Sequence, residues 1–163
     1  MQFIIYLLAS LSSILGLIIG ILLVRIAPEE QKPLGKHFLW FRKILLLLIF
    51  LVVIPYSYAN LPYLAALIIS FMLLIFFEFR LDLVKKSILD YGAFSILYFF
   101  SSQNLNLFAI ETSLILLYGM PTASLLFKRK SEDKYKILFC AFPFIVIANL
   151  LFLAYHFSFL NFK

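Results

Sequence analysis

The chain has 163 residues, of which 64% are apolar and 13% charged, and its mean hydropathy is +1.06. A soluble domain of this length has too small a core to hide so much apolar surface, so lipid must solvate most of these side chains. A formal charge of +6 would suggest nucleic acid in a soluble protein. Here the Lys and Arg residues sit in short connectors between apolar runs, where membrane topology accounts for them and no nucleic-acid partner is expected.

In lipid every backbone polar group needs an internal partner, which leaves helices or a closed barrel. Barrel strands alternate apolar and polar residues, and runs such as 44–54 and 64–77 do not. The expected fold is an all-α integral membrane protein, with residues 1–163 forming a single transmembrane domain. Residue 1 is not followed by a basic leader and the first apolar run is long, so a cleaved signal is not expected. Cys140 is the single cysteine, and no internal disulfide can form.

The first segment spans about residues 2–24, long enough to cross a bilayer with some tilt. Ser12, Gly16 and Gly20 recur every fourth residue along one face, where small side chains let helix backbones approach closely. Packing inside the bundle is the favoured reading, with self-association the alternative. Residues 25–43 form the longest polar connector. Pro28, Glu29 and Glu30 suit the first turn of a short helix, and Pro33-Leu34-Gly35 reads as a turn. His37, Phe38, Trp40 and Phe41, with Lys36, Arg42 and Lys43, resemble an interfacial anchor of rings at headgroup level and cations reaching water. A metal or proton site at His37 with Glu29 and Glu30 is the weaker alternative.

The second segment covers about 44–59, or starts near Lys36 if Arg42 and Lys43 snorkel, with Pro55 in its last turns. The third covers 62–79. Residues 77–92 then carry Glu78, Arg80, Asp82 and Asp90, charges otherwise rare in this chain. One unbroken helix over 61–100 would be about 60 Å long, twice the hydrocarbon thickness, so the chain must turn back here. Asp82 as N-cap starts the fourth segment at 83–100, while a capping box of Ser87 and Asp90 would leave a helix too short to cross. Asp90 is otherwise accounted for by an i−4 pair with Lys86. The fifth segment, 107–127, follows a cap at Asn104 or Asn106 and is interrupted by Gly119-Met120-Pro121. The sixth covers 137–157.

Thirteen of the fourteen Lys and Arg residues fall on alternate connectors, as positive-inside insertion requires. The expectation is six helices in a plasma or cytoplasmic membrane with both termini outside, in two three-helix halves of opposite orientation. The basic cytoplasmic face would attract anionic lipid.

Glu111 is the one acid away from the basic connectors, and a charge at depth is costly and often functional. With Asn106 as cap it reads as a helix-start glutamate. As a candidate polar site it joins Asn149 and His156, seven residues apart on one face of the sixth segment, in a proton or cation path. No catalytic motif, metal-ligand spacing or cofactor loop appears, so no cofactor is expected. Three function classes follow: a non-catalytic subunit or scaffold of a membrane assembly, with a membrane-protein partner or a second copy; a small transporter or channel using Glu111; and a lipid-modifying enzyme using Glu111 and His156. They are ranked in that order.

Overall fold

The computed structural model describes residues 3–29, 31–57, 61–127 and 131–160. They form six α-helices: α1 (Phe3–Ile26), α2 (Gln31–Ser57), α3 (Leu61–Arg80), α4 (Leu83–Ser101), α5 (Leu105–Leu126) and α6 (Ser131–Leu160). Among the described residues there is no strand. Among the described residues, four stretches are long and apolar enough to cross a membrane, at Phe3–Ile26, Pro33–Tyr56, Leu105–Leu126 and Tyr135–His156. The protein is therefore a helical membrane protein with several spans. The fourth helix is as long as a span, at 19 residues or about 28 Å. Its hydropathy is lowered by Lys85, Lys86, Asp90 and three serines.

The clearest pattern is on α1. Tyr6, Ser10, Ser13, Leu17, Gly20 and Val24 are buried, at alternating steps of four and three. Ile4, Leu8, Leu11, Leu15, Ile18 and Leu22 are exposed at the same steps on the opposite side, an apolar face turned away from the bundle. The buried side lies lengthwise on α5 with backbones nearly touching. A Cβ on Gly16 would come within 1.7 Å of the Leu116 carbonyl oxygen, and one on Gly119 within 2.7 Å of the Leu17 nitrogen. Gly20 faces the Met120 carbonyl and Ala123 in the same way. Gly16 and Gly20 thus meet a neighbour in the same chain. Ser12 is only half-buried and donates to the Ala9 carbonyl of its own helix.

Contacts run 6 to 108, 16 to 116 and 20 to 120, so α1 and α5 are parallel. By the same reasoning α4 and α6 are parallel, through Val84–Cys140 and Phe99–Tyr155. The α2 helix runs against α3 and α5, through Phe50–Phe71 with Arg42–Glu78, and through Gln31–Phe127 with Arg42–Tyr118. Successive helices therefore alternate in direction, and Arg25, Arg42, Lys43, Arg80, Lys85, Lys86 and Lys136 gather at one end of the bundle.

Between α1, α4, α5 and α6 the interior is filled with rings. Tyr6 stacks on Phe152 with centroids 4.3 Å apart and meets Tyr98 at 5.0 Å. Tyr98 touches Phe108 and Phe144, and Phe94 stands edge-on to Tyr118 at 4.9 Å. Two hydroxyls in this stack find backbone acceptors, Tyr6 at the Ala148 carbonyl and Tyr98 at the Tyr6 carbonyl.

Several local expectations are corrected. The α2 helix starts at Gln31, so Pro33-Leu34-Gly35 is helical. Proline costs little there, because N–H groups of a first turn lack intrahelical partners in any case. Pro28 and Glu29 form a turn in place of a helix start. Gln31 reaches back to close the end of α5, its amide donating to the Ser124 and Phe127 carbonyls at 2.9 and 2.7 Å. The sixth helix begins at Ser131, which makes the last connector shorter than the charged run suggested; residues 128–130 lie outside the described set. The central break is confined to Leu81 and Asp82; Asp82 stands at the N-cap of α4 but its side chain makes no capping bond.

Candidate functional site

Burial singles out a group of charges that the sequence distributed over four helices. Arg42 lies twelve residues into α2 and is 2% exposed, in contrast to the expected water-reaching anchor. Asp90, in the second turn of α4, is 3% exposed. Tyr118, on α5 one residue before Gly119, is fully buried.

The three groups close a ring. Arg42 Nε donates to Tyr118 Oη at 2.7 Å, Tyr118 Oη donates to Asp90 Oδ2 at 2.5 Å, and Arg42 Nη2 donates to the same oxygen at 2.5 Å. Glu78 on α3 extends the group, with Oε2 3.9 Å from Arg42 Nη2 and Oε1 3.6 Å from Lys86 Nζ. The expected Lys86–Asp90 pair is thus replaced: Lys86 faces Glu78, and Asp90 faces Arg42. No Ser87–Asp90 capping box forms, because the Ser87 hydroxyl donates to the Leu83 carbonyl in mid-helix. Burying a lone ion in an apolar interior costs several kcal/mol, and contact between opposite charges with shared hydrogen bonds offsets much of that cost. The ring joins α2, α4 and α5 at one point, with α3 attached at the rim through Glu78. One donor is left over: Arg42 Nη1 is buried without a hydrogen-bond partner.

The residues expected to form a polar site are arranged differently. Glu111 is fully buried, and neither carboxylate oxygen has a hydrogen-bond partner. The cap of α5 is Asn104, whose side chain accepts from the Asn106 and Leu107 amides. That puts Glu111 about two turns in, deeper than the helix-start reading required. Asn149 is half-buried; its amide donates to the Ile145 carbonyl at 2.8 Å and to Ser10 Oγ at 3.4 Å, and its Oδ1 is buried without a partner. His156 is exposed, with its ring against Phe152 and Tyr155. No hydrogen bond joins Glu111 to Asn149 or His156. Of the central charges, Arg80 is exposed with its guanidinium 5.4 Å from the centre of the Phe76 ring, and Asp82 is exposed.

Two cavities lie toward the basic end. One, of about 190 Å³, opens between α2 and α3 and is lined by Arg42, Lys43, Leu46, Leu47, Phe71, Leu74, Ile75 and Glu78. The other, of about 240 Å³, sits between α1, α2 and α5 around Val24, Gln31, Phe38 and Ser124. Among the described residues no three His, Cys, Asp or Glu side chains gather as a metal site would need. Comparison with protein-family models, with curated proteins and with solved structures finds no match for this chain.

The Arg42–Asp90–Tyr118 ring escaped sequence reasoning: the three residues stand about 16, 10 and 12 Å from the basic ends of their helices, and depth by itself does not single them out as a set.

Proposed function

We propose that the chain is a six-span protein of the cytoplasmic membrane, with both termini outside, acting as a non-catalytic subunit or scaffold of a membrane assembly. The observation that carries this reading is the interior: interlocked rings fill the space between α1, α4, α5 and α6, and a closed charge ring ties α2 to α4 and α5. Such a centre favours one rigid arrangement over the alternation a carrier needs. Alternating helix direction and the collection of cations at one end agree with six crossings. The halves are not packed alike, since α1 lies lengthwise on α5 whereas their counterparts α4 and α2 meet only around Asp90 and Arg42.

A carrier or channel is the second reading, favoured by the unpartnered carboxylate of Glu111 and the unpartnered Asn149 Oδ1 inside the bundle. An enzyme using Glu111 with His156 draws less support, because the imidazole is exposed and not bonded to the acid.

The test has two arms. In proteoliposomes holding a pH-sensitive dye, the purified chain is expected to pass neither protons nor alkali cations. Photo-cross-linkers at Met72 and Phe139, apolar positions 63% and 64% exposed, are expected to give one defined adduct with a membrane protein or a second copy in native membranes. Flux that Glu111→Gln abolishes would replace the subunit reading with the carrier. A chain without adducts at either position would reject the subunit reading outright.

A further inference from the structure

Glu111 sits on the buried stripe of α5 between Phe108 and Ile115, about 10 Å along the helix from Tyr118. It is fully buried, and neither carboxylate oxygen accepts a hydrogen bond. An ionised carboxylate in such a place needs a cation or several donors around it.

The neighbouring helices supply neither. The contacts of Gln31 with Phe127 and of Arg42 with Tyr118 set residues 45–53 of α2 at the depth of Glu111, and that stretch is wholly apolar. The contacts of α1 with α5 bring Ser10 and Ser13 to this depth, and Asn149 of α6 comes with Ser10, to which it is bonded. The donors on these helices are already committed. The Ser10 and Ser13 hydroxyls donate to the Leu7 and Ala9 carbonyls, and the Asn149 amide donates to the Ile145 carbonyl and Ser10 Oγ. On α5 itself, the Thr112 hydroxyl donates to the Phe108 carbonyl. The titratable groups next to this level are Tyr6 of α1 and Tyr98 of α4, which both touch Phe108 and donate to the Ala148 and Tyr6 carbonyls. Neither is a cation. Arg42 of α2 is closed onto Asp90 and Tyr118, and His156 of α6 is exposed.

We propose that Glu111 is a proton-binding site, its carboxyl group holding one proton inside the folded bundle. The exchange is that of a single O–H bond, COOH giving COO⁻ and H⁺, and it asks no further ligand of the chain. A metal ion asks for more: calcium takes about six to eight oxygens. Among the described residues no three His, Cys, Asp or Glu side chains gather to supply them. A subunit would keep this proton and a carrier would exchange it, so the site is compatible with either reading of the function.

The test is infrared spectroscopy of the full-length protein in liposomes at neutral pH, reading the carbonyl band of a protonated carboxyl group. The wild type is expected to show the band, Glu111→Gln to lose it, and Glu78→Gln to keep it. Glutamate labelled with ¹³C at the side-chain carboxyl is expected to shift the band in the wild-type chain, which identifies a glutamate even where Glu111→Gln fails to fold. No such band in the wild type would mean an ionised acid with a partner. A band that survives in folded Glu111→Gln, or that the label leaves in place, would put the proton on another acid, Asp90 first among them. A band that sodium, potassium or calcium removes at constant pH would make the site one for a metal cation. Each of these results overturns the proposal.

Discussion

Removing one partner from the Arg42–Asp90 pair should cost far more than removing both. In Asp90→Ala the Arg42 guanidinium stays 2% exposed but loses its 2.5 Å acceptor, keeping only Tyr118 Oη and a carboxylate 3.9 Å away. Stranding a buried charge in this way typically costs about 3–5 kcal/mol, and Arg42→Met should cost a similar amount by stranding Asp90. For a chain of this length that is a drop in unfolding temperature of roughly 10 °C. The double variant Arg42→Met/Asp90→Ala has no ion left to strand and should fall well short of the sum, with a coupling above ~2 kcal/mol. Lys85→Gln, at an exposed position, sets the baseline within ~0.5 kcal/mol. Unfolding in mixed micelles titrated with SDS, followed by circular dichroism, measures all four. Additive losses, or an Asp90→Ala as mild as Lys85→Gln, would mean that the ring is not closed in the folded protein.

The remaining predictions use the same assay or simple labelling. Gly16→Ala should destabilise by several kcal/mol because its Cβ would meet the Leu116 carbonyl backbone, whereas Gly35→Ala, with open space around it, should stabilise by ~0.5–1 kcal/mol; the reverse order would mean that α1 and α5 are not in close contact. Glu111→Leu should be neutral or stabilising by ~1–2 kcal/mol, since it removes a buried group that satisfies no partner; a loss of that size would mean the carboxylate has a partner in the membrane-embedded protein. In a Cys140→Ala background, cysteine in place of Gln103 should react with an impermeant thiol reagent added outside intact cells, and cysteine in place of Lys36 should not. The opposite pattern would invert the proposed orientation.

Class and connectivity were readable from the sequence because bilayer physics leaves few choices. Long apolar runs without alternation can only be helices in lipid, and charge parity at the connectors constrains direction. Helix ends were less readable. Pro33 and Gly35 look like a turn, but a proline in a first turn breaks no hydrogen bond, so the helix begins ahead of them. The small-residue stripe announced a close approach without naming the neighbour. Only the structure pairs Gly16 with Leu116 and shows that Ser10 and Ser13 are buried while Ser12 is not. Arg42 was misjudged for a physical reason: a cation near the end of an apolar run usually reaches water, and nothing local distinguishes one that instead turns inward to a partner 48 positions along the chain.

Asp90 and Glu111, the two acids buried inside the bundle among the described residues, separate stability from function. Asp90 is surrounded by groups that complete it, a guanidinium and a phenol, and each of those is held by a different helix. A charge so fully matched has little freedom to exchange partners, which suits a fixed joint. Glu111 is buried as deeply and matched by nothing, so it adds no joint between helices and costs stability by being there. An unmatched acid that only weakens a fold needs another reason to be kept, and in a membrane helix that reason is usually an ion, a proton or a partner side chain. Flux through reconstituted protein therefore bears most directly on Glu111. If the bilayer stays sealed, Glu111 carries no ion path, and its effect on the protein is the stability cost of an unmatched buried acid.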